Sequence, residues 1–310
     1  MSWKNLTELQ VLDCVETILK EPLSALCLKR NSYINRVFEV ELKKSKKRFI
    51  VKFYRPARWT KAMIQEEHDF LLYLKEHDLP VIAPIMFDQK TLFEYNSIYF
   101  TIFPKKGGRA LSEFTKEQWL QIGRMLGRLH QLSKSKPAIS RVRWTPEEAS
   151  KSQLATILAS QTVPHDYVNS LTRSVENFII RSQPYFNQHD LFLLHGDCHL
   201  GNLIERPNEG LFLVDFDDMV IGPAIQDVWM LLPDNVDQCQ QEIAWFLEGY
   251  TLFRDFSYSN FELIPILKIM RQIHFAAWCA IQANEAQFKH HFPQWGSIQY
   301  WNELIKDINI

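Results

Sequence analysis

The spacing of apolar residues changes character near residue 104. Residues 7–20, TELQVLDCVETILK, set Leu9, Val11/Leu12, Val15 and Ile18/Leu19 on one face of an amphipathic helix. Phe38, Val40 and Leu42 then alternate with Glu39 and Glu41, the pattern of a half-buried strand. After the basic turn KKSKKR, the run RFIVKFY supplies its hairpin partner. That turn reads as a solvated loop that blunts a sheet edge. A second helix is predicted from about Thr60 to Glu76, with the stripe Met63, Phe70/Leu71 and Leu74. LPVIAP ends it, and the strand signals of LFEYNSIYFTIF run up to Pro104-Lys105-Lys106-Gly107-Gly108, where the chain must change direction. From Thr115 the helical period takes over. Thr115-x-x-Gln118 can form a capping box, and Trp119, Ile122, Met125/Leu126 and Leu129 share one face. Residues 133–150 read as a polar connection, with Thr145-Pro146-Glu147-Glu148 starting a helix. Further helices are expected near 150–160, 166–182, 237–254, 260–284 and 297–308. The pattern predicts an α+β fold, with strands gathered in residues 1–103 and helices in 104–310.

Two short apolar runs interrupt the helical half. Leu191–Leu194 and Leu211–Val214 suit buried strands and are expected to form a hairpin. His195-Gly196-Asp197 follows the first run, Asn202 stands five residues beyond Asp197, and Asp215 follows the second run. Asp and Asn after strands commonly cap turns, so none of them is telling alone. Together they offer a cation and proton-transfer site. Asp197-x-x-x-x-Asn202 has the spacing of a kinase catalytic loop, in which Asp takes the nucleophile's proton and Asn holds Mg²⁺. Asp215 is then the second metal carboxylate, and the chemistry indicated is phosphoryl transfer.

Lys52 lies inside the predicted strand FIVKFY, where a charge needs a partner. Glu67 falls on the apolar face of the next helix, four residues from both Met63 and Leu71, and can supply it. A strand lysine paired with a helix glutamate positions phosphates in protein kinases; a structural salt bridge is the plainer alternative. If the N-terminal half covers a nucleotide, adenine is expected against the backbone around Ile102 and Phe103, since Pro104 has no N–H. His130 reads as a core or capping residue. Asp227 reads as structural, accepting from the first N–H groups of the apolar run after it.

Composition narrows the class. The 310 residues are 46% hydrophobic and 23% charged, an ordinary globular balance. A net charge of −1 gives no field that argues for nucleic acid or an anionic membrane. Five scattered cysteines form no CxxC pair, which points to a reducing compartment. With no apolar leader at MSWKNLTELQ and no run of membrane-spanning length, a cytoplasmic location is expected; separately, a monomer is expected. Cys198, beside Asp197, can be read as a redox sensor or as a small residue filling a tight turn.

LHGDCHLGN followed by LVDFDD resembles the motifs of the aminoglycoside phosphotransferase and choline kinase group, relatives of the protein kinases. NSYINRVFEV, RFIVKFYRPARWT, EEHDF, FPKKGGR and GPAIQDVWMLL are similar, within that group, to the bacterial stress response kinase A proteins. The similarity runs roughly from Asn31 to Leu232 and weakly beyond. It implies a two-lobed protein-kinase-like fold, a β-rich lobe over 1–103 and a helical lobe over 104–310, that transfers the γ-phosphoryl group of ATP to protein Ser/Thr. It casts Asp197 as proton acceptor, Asn202 and Asp215 as Mg²⁺ ligands, Lys52 with Glu67 as the phosphate-positioning pair, and Ser32 over the ATP phosphates.

The chain also departs from eukaryotic-like kinases. Residues 27–38 hold no G-x-G-x-x-G, Gly196 replaces the arginine that precedes the catalytic aspartate, and eleven residues separate Asp215 from Asp227 with no A-P-E. So short a segment offers little platform for an extended peptide. A small-molecule kinase acting on an amino alcohol, sugar or aminoglycoside-like hydroxyl is therefore the alternative, with Asp217, Asp218 and the Glu-rich C-terminal helices available to supply an acidic pocket for a cationic acceptor. A non-catalytic nucleotide-binding scaffold is disfavoured by the complete Lys, Glu, Asp, Asn and Asp set.

Overall fold

The computed structural model describes residues 6–283, 285 and 288–310. Helix α1 (Glu8–Leu19) starts in a capping box, Thr7 and Gln10 exchanging side-chain-to-backbone hydrogen bonds. Then come β1 (Leu23–Arg30), β2 (Arg36–Leu42), β3 (Arg48–Phe53), α2 (Lys61–Glu76), β4 (Phe93–Tyr95) and β5 (Ile98–Pro104). The strands form an antiparallel sheet in the order β1-β2-β3-β5-β4. Phe38, Val40, Val51, Phe53, Phe100 and Ile102 pack with Val11 and Val15 of α1 on one side of it. The alternation that predicts β2 holds on its apolar face alone. Glu39 and Glu41 are buried too, because Arg30, Arg48 and Lys105 close over Glu39, and Arg48 and Lys46 over Glu41. Burial there depends on pairing, which a count of polar positions does not register.

Beyond β5 run β6 (Arg109–Ala110), α3 (Lys116–Ser133), a π-helical turn over Pro146–Ser150, α4 (Lys151–Ala159), α5 (His165–Phe186), β7 (Phe192–Leu194), β8 (Leu203–Arg206), β9 (Gly210–Leu213), β10 (Val220–Gly222), α6 (Gln240–Tyr250), α7 (Ile264–Gln282), α8 (Phe288–His291) and α9 (Ile298–Ile308). The large core here gathers Trp119, Ile122, Leu126, Phe246 and Leu267, and Phe70, Leu71 and Leu74 of α2 join it. So α2 belongs in sequence to the sheet half but is anchored in the helical half. Glycines let α3 and α6 approach closely. A Cβ on Gly123 would stand 2.1 Å from the Phe246 carbonyl oxygen, and one on Gly249 2.2 Å from that of Leu120.

The expected hairpin between the two apolar runs does not form. β7 pairs with β10, Leu194 facing Val220, while β9 pairs with β8, Leu203 facing Leu213. Residues 203–206 are themselves a strand, joined to β9 by a short turn with Asn208 and Gly210 at positive φ. A partner one tight turn away wins over one separated by a long loop. β7 is completed only when the chain returns through Asp215–Asp218. No helical run follows Asp227 either; the segment forms 3₁₀ turns over Ala224–Asp227 and Trp229–Leu231. Among the described residues no helix is long and apolar enough to cross a membrane.

Candidate active site

A cavity of about 1030 Å³ lies between the sheet and the helical body, and Ser32, Lys52, Glu67, Phe103, Asp197 and Asp215 line it. Ile102 and Asn202 do not. Ile102 is fully buried and its carbonyl accepts from the Ile85 N–H at 2.8 Å. The bonds Tyr54 N–H to Tyr99 O and Lys105 N–H to Arg48 O place Ile50 and Phe103 in a hydrogen-bonded pair of the antiparallel ladder. The backbone groups of Phe103 are therefore spent on β3. The Pro104 carbonyl, next along the cavity edge, points away from that strand.

Asn202 is held between the two acidic segments. Its Nδ2 donates to the Asp197 carbonyl at 2.9 Å, and its own carbonyl accepts from the Val214 N–H at 2.9 Å, one residue before Asp215. His195 ties the same segments: its Nε2 donates to the Val214 carbonyl at 2.9 Å while its Nδ1 accepts from the Asp197 N–H at 3.3 Å. The ends of β7 and β9 thus converge without pairing as strands.

The loop 195–197 rests on Asp227. Its Oδ2 accepts from the His195 N–H at 2.9 Å and its Oδ1 from the Gly196 N–H at 2.7 Å, while Gln226 Nε2 donates to the Gly196 carbonyl at 2.8 Å. His130 Nε2 lies 3.2 Å from Asp227, and its Nδ1 is 2.8 Å from the Tyr250 hydroxyl. Burial holds the His130 imidazole below its ordinary range despite the aspartate beside it. A neutral ring fits this chain, accepting from Tyr250 and donating to Asp227. Asp227 is structural as expected, but it caps the loop of Asp197 rather than a helix of its own. Sequence periodicity gives no sign of so distant a partner.

Lys52 is buried and surrounded by carboxylates. Its Nζ hydrogen-bonds Asp217, lies 3.3 Å from Asp215 Oδ1 and stands 3.8 Å from Glu67 Oε1. Burial by itself would pull the ammonium down, but the charges of Asp217, Glu67 and Asp215 outweigh it and hold it above its usual range. Asp217 also accepts from Asn35 Nδ2, and its backbone carbonyl accepts from buried Arg141 at 2.7 Å. Sequence reasoning missed Asp217 as the direct lysine partner; its one signal was an acid two residues after Asp215 in a short loop. Burial pushes Glu67 up to about 8, against the attraction of Lys52, with the Asp217 charge adding to the rise.

Asp197 has different neighbours. Arg271 Nη1 donates to its Oδ1 at 3.0 Å, and His199 Nε2 lies 3.4 Å from its Oδ2. Burial alone would raise its carboxyl; the His199 hydrogen bond and the Arg271 charge reverse that and hold it well below the carboxylate range. Such a group is a weak base and a good orienting acceptor. Cys198 is fully buried, and burial, followed by the Asp227 and Asp197 charges, pushes its thiol well above the ordinary value. It is a packing residue rather than a reactive thiolate.

Above the site, Ser32 Oγ accepts from the Asn35 N–H at 3.3 Å, and Asn35 Oδ1 accepts from the Arg55 N–H at 3.2 Å. Tyr33 of this turn packs against Trp278 of α7 at 5.1 Å between ring centroids. The glycine-free turn is therefore fastened to both halves of the molecule. Mg²⁺ is usually held by one or two carboxylates together with substrate phosphates. Asp215, with its side chain 57% exposed at the cavity, fits that role; Asn202 does not line the cavity, but its Oδ1 forms no hydrogen bond among the described residues and is available as a second ligand.

A small sheet-based lobe over a helical one, with a buried lysine facing clustered carboxylates across the cavity, defines a kinase-like phosphotransferase. The chain belongs to the phosphotransferase enzyme family, whose model matches residues 28–257. It is 34% identical over 277 residues to a stress response kinase A of Shigella flexneri, covering 87% of this chain and 82% of that one. It is 32% identical over 272 residues to a Salmonella typhimurium protein described as serine/threonine protein kinase RdoA, with the same coverage. Among solved structures, an amicoumacin kinase in complex with AMP-PNP, Ca²⁺ and Ami superposes with a TM-score of 0.75 at 18% identity, covering 97% of this chain and 94% of that one. A microcompartment-associated aminopropanol kinase gives 0.68 at 17% identity, covering 96% and 98%. The fold is two-lobed, α+β and kinase-like.

Proposed function

We propose that the chain is an ATP- and Mg²⁺-dependent kinase that phosphorylates Ser or Thr hydroxyls of a protein. A β-rich lobe of residues 1–103 covers the nucleotide, and residues 104–310 carry catalysis and acceptor binding. The observation that carries the transfer reading is that Lys52, Asp215 and Asp197 open onto one cavity. The protein acceptor is supported by the relatives at 32–34% identity, which are described as stress response and serine/threonine protein kinases.

Adenine lies along the Phe103–Pro104 edge, where the Pro104 carbonyl rather than Ile102 offers the hydrogen bond. Lys52 neutralises phosphate charge, Glu67 backs it, and Ser32 with its turn covers the phosphates. Asn202 and Asp215 would hold Mg²⁺, and the bound ion would supply charge that neutralises the phosphate oxygens. The acceptor oxygen attacks the γ-phosphorus, the bond to the β–γ bridging oxygen breaks, and ADP leaves. The hydroxyl proton passes to Asp197. Because Asp197 is so weak a base, it takes that proton only as the new P–O bond forms, and positioning does most of the work.

A second reading, transfer to a small hydroxylated molecule, is favoured by the buried stretch after Asp215. Phe216, Asp217, Met219 and Val220 are all inside, leaving no platform for a peptide there. Transfer from labelled ATP to casein-like proteins and to small alcohols, with autophosphorylation measured alongside, tests the proposal. Asp197→Ala is expected to lose about 10²-fold or more in kcat while still binding nucleotide. Full turnover in that variant overturns the assignment of Asp197, and labelling of small alcohols alone overturns the protein acceptor.

A further inference from the structure

We infer that the arm of the cavity beyond Asp197 receives an acceptor that carries a carboxylate near its hydroxyl, with Arg271 as the anchor for that carboxylate. The inference rests on the phosphoryl-transfer reading and adds the class of acceptor to it.

Arg271 of α7 lines the cavity with its side chain 43% exposed. Among the described residues it makes one hydrogen bond, from Nη1 to Asp197 Oδ1 at 3.0 Å. A guanidinium presents five N–H donors in a planar fork, so the others remain open for a second anion. Trp144 lines the same cavity at 8% exposure, and its indole N–H finds no partner among the described residues. A buried donor without a partner is costly unless a ligand supplies one. His274, three residues after Arg271, adds another. Gln153 Nε2 donates to its Nδ1 at 3.1 Å, which leaves the ring proton on Nε2. Gln153 Oε1, unpartnered among the described residues, can receive an N–H or O–H of the same acceptor.

The carboxylates that a cationic acceptor would need are already engaged. Asp217 is taken by Lys52 and Asn35, Asp218 by Arg58 at 2.6 Å, and Asp197 by Arg271 and His199. This corrects the expectation that Asp217 and Asp218 form an acidic pocket. Open donors outweigh open acceptors in this arm, and a guanidinium beside a carboxylate-bearing hydroxyl compound makes a bidentate, charge-assisted contact.

The carboxylate has two sources, a small hydroxy acid or an Asp or Glu flanking a Ser or Thr in a peptide. The test is the kcat/KM for transfer from labelled Mg-ATP to two matched sets. One set is peptides whose central Ser is flanked by Asp, Asn or Lys; the other is glycerate, glycerol and ethanolamine. The acidic member is expected to lead its set by at least about tenfold, and the set in which it leads identifies the source. Arg271→Glu should reverse the order toward the basic member, and Arg271→Lys should keep it. Because that side chain is partly exposed, both variants are expected to fold, which a thermal melt of each checks, and the readout is a ratio within one variant rather than its absolute rate. Transfer with no charge preference, or an order unchanged in Arg271→Glu, overturns this inference and leaves the kinase reading standing. Absence of ATP turnover with every acceptor overturns both.

Discussion

Gly196 is where one side-chain atom has the largest consequence. It sits at φ +85°, and a Cβ there would stand 2.2 Å from the Asp218 carbonyl oxygen. An alanine would carry left-handed strain and force apart the two loops that hold Asp197 and Asp217. Gly196→Ala is expected to destabilise the fold by about 1–3 kcal/mol and to lose activity even where it remains folded. Urea titration with a parallel transfer assay checks both; an unchanged midpoint with full activity sinks the account.

Glu67 offers a test by pH. Its carboxyl is raised from 4.5 to about 8 by burial, so the folded chain binds this proton more tightly than the unfolded chain does. The stability it contributes is complete below its ordinary value of 4.5 and is lost as pH rises through about 8. In thermal melts across pH 5 to 9, wild type should therefore lose stability as pH rises toward about 8, while Glu67→Gln, which cannot ionise, gives a flatter profile. Parallel curves would place the proton elsewhere. The residues themselves are legible in the sequence, as a lysine inside a strand, an acid on the apolar face of a helix and acids after strands. Which carboxylate meets Lys52 is not, because the face of a helix says nothing about a loop 150 residues away that arrives closer.

At the scale of elements, periodicity located most helices and the strands before residue 104, since apolar spacing reports the face that packs. β1 escaped it: LSALCLKR is mostly solvent-facing at the sheet edge and carries no clean alternation. The pairing of β7 with β10 escaped it as well, because which strand meets which depends on loop closure and not on pattern. The support of the 195–197 loop by Asp227 belongs to this scale, since it joins β7, α3 through His130, and the 3₁₀ turns. An asparagine keeps the shape but has a single acceptor oxygen, so one of the two N–H groups of His195 and Gly196 loses its partner. Asp227→Asn is expected to cost about 1–3 kcal/mol. A melting temperature equal to wild type would show that the loop holds itself.

For the whole molecule, α2 packs its apolar face into the helical lobe, and a second set of contacts between the lobes surrounds the cavity. Lys52 and Asn35 reach Asp217, Arg58 reaches Asp218, and Tyr33 reaches Trp278. Most of these are ionic or polar and surround the place where a triphosphate is proposed to sit, so nucleotide and lobe closure should be linked. A ligand bound only by the folded state stabilises by mass action, about 2.7 kcal/mol at a hundredfold excess over Kd. Mg-ATP should accordingly raise the melting temperature by several degrees. If Asp215 and Asn202 hold the metal against the phosphates, chelating Mg²⁺ removes most of that shift, and Asp215→Ala loses it even with Mg²⁺ present. Asp197→Ala should keep it, because Asp197 pairs with Arg271 rather than with Lys52. That contrast separates nucleotide binding from acceptor chemistry within one cavity. A shift undiminished in Asp215→Ala, or abolished in Asp197→Ala, would show that the two carboxylates do not divide the work in this way.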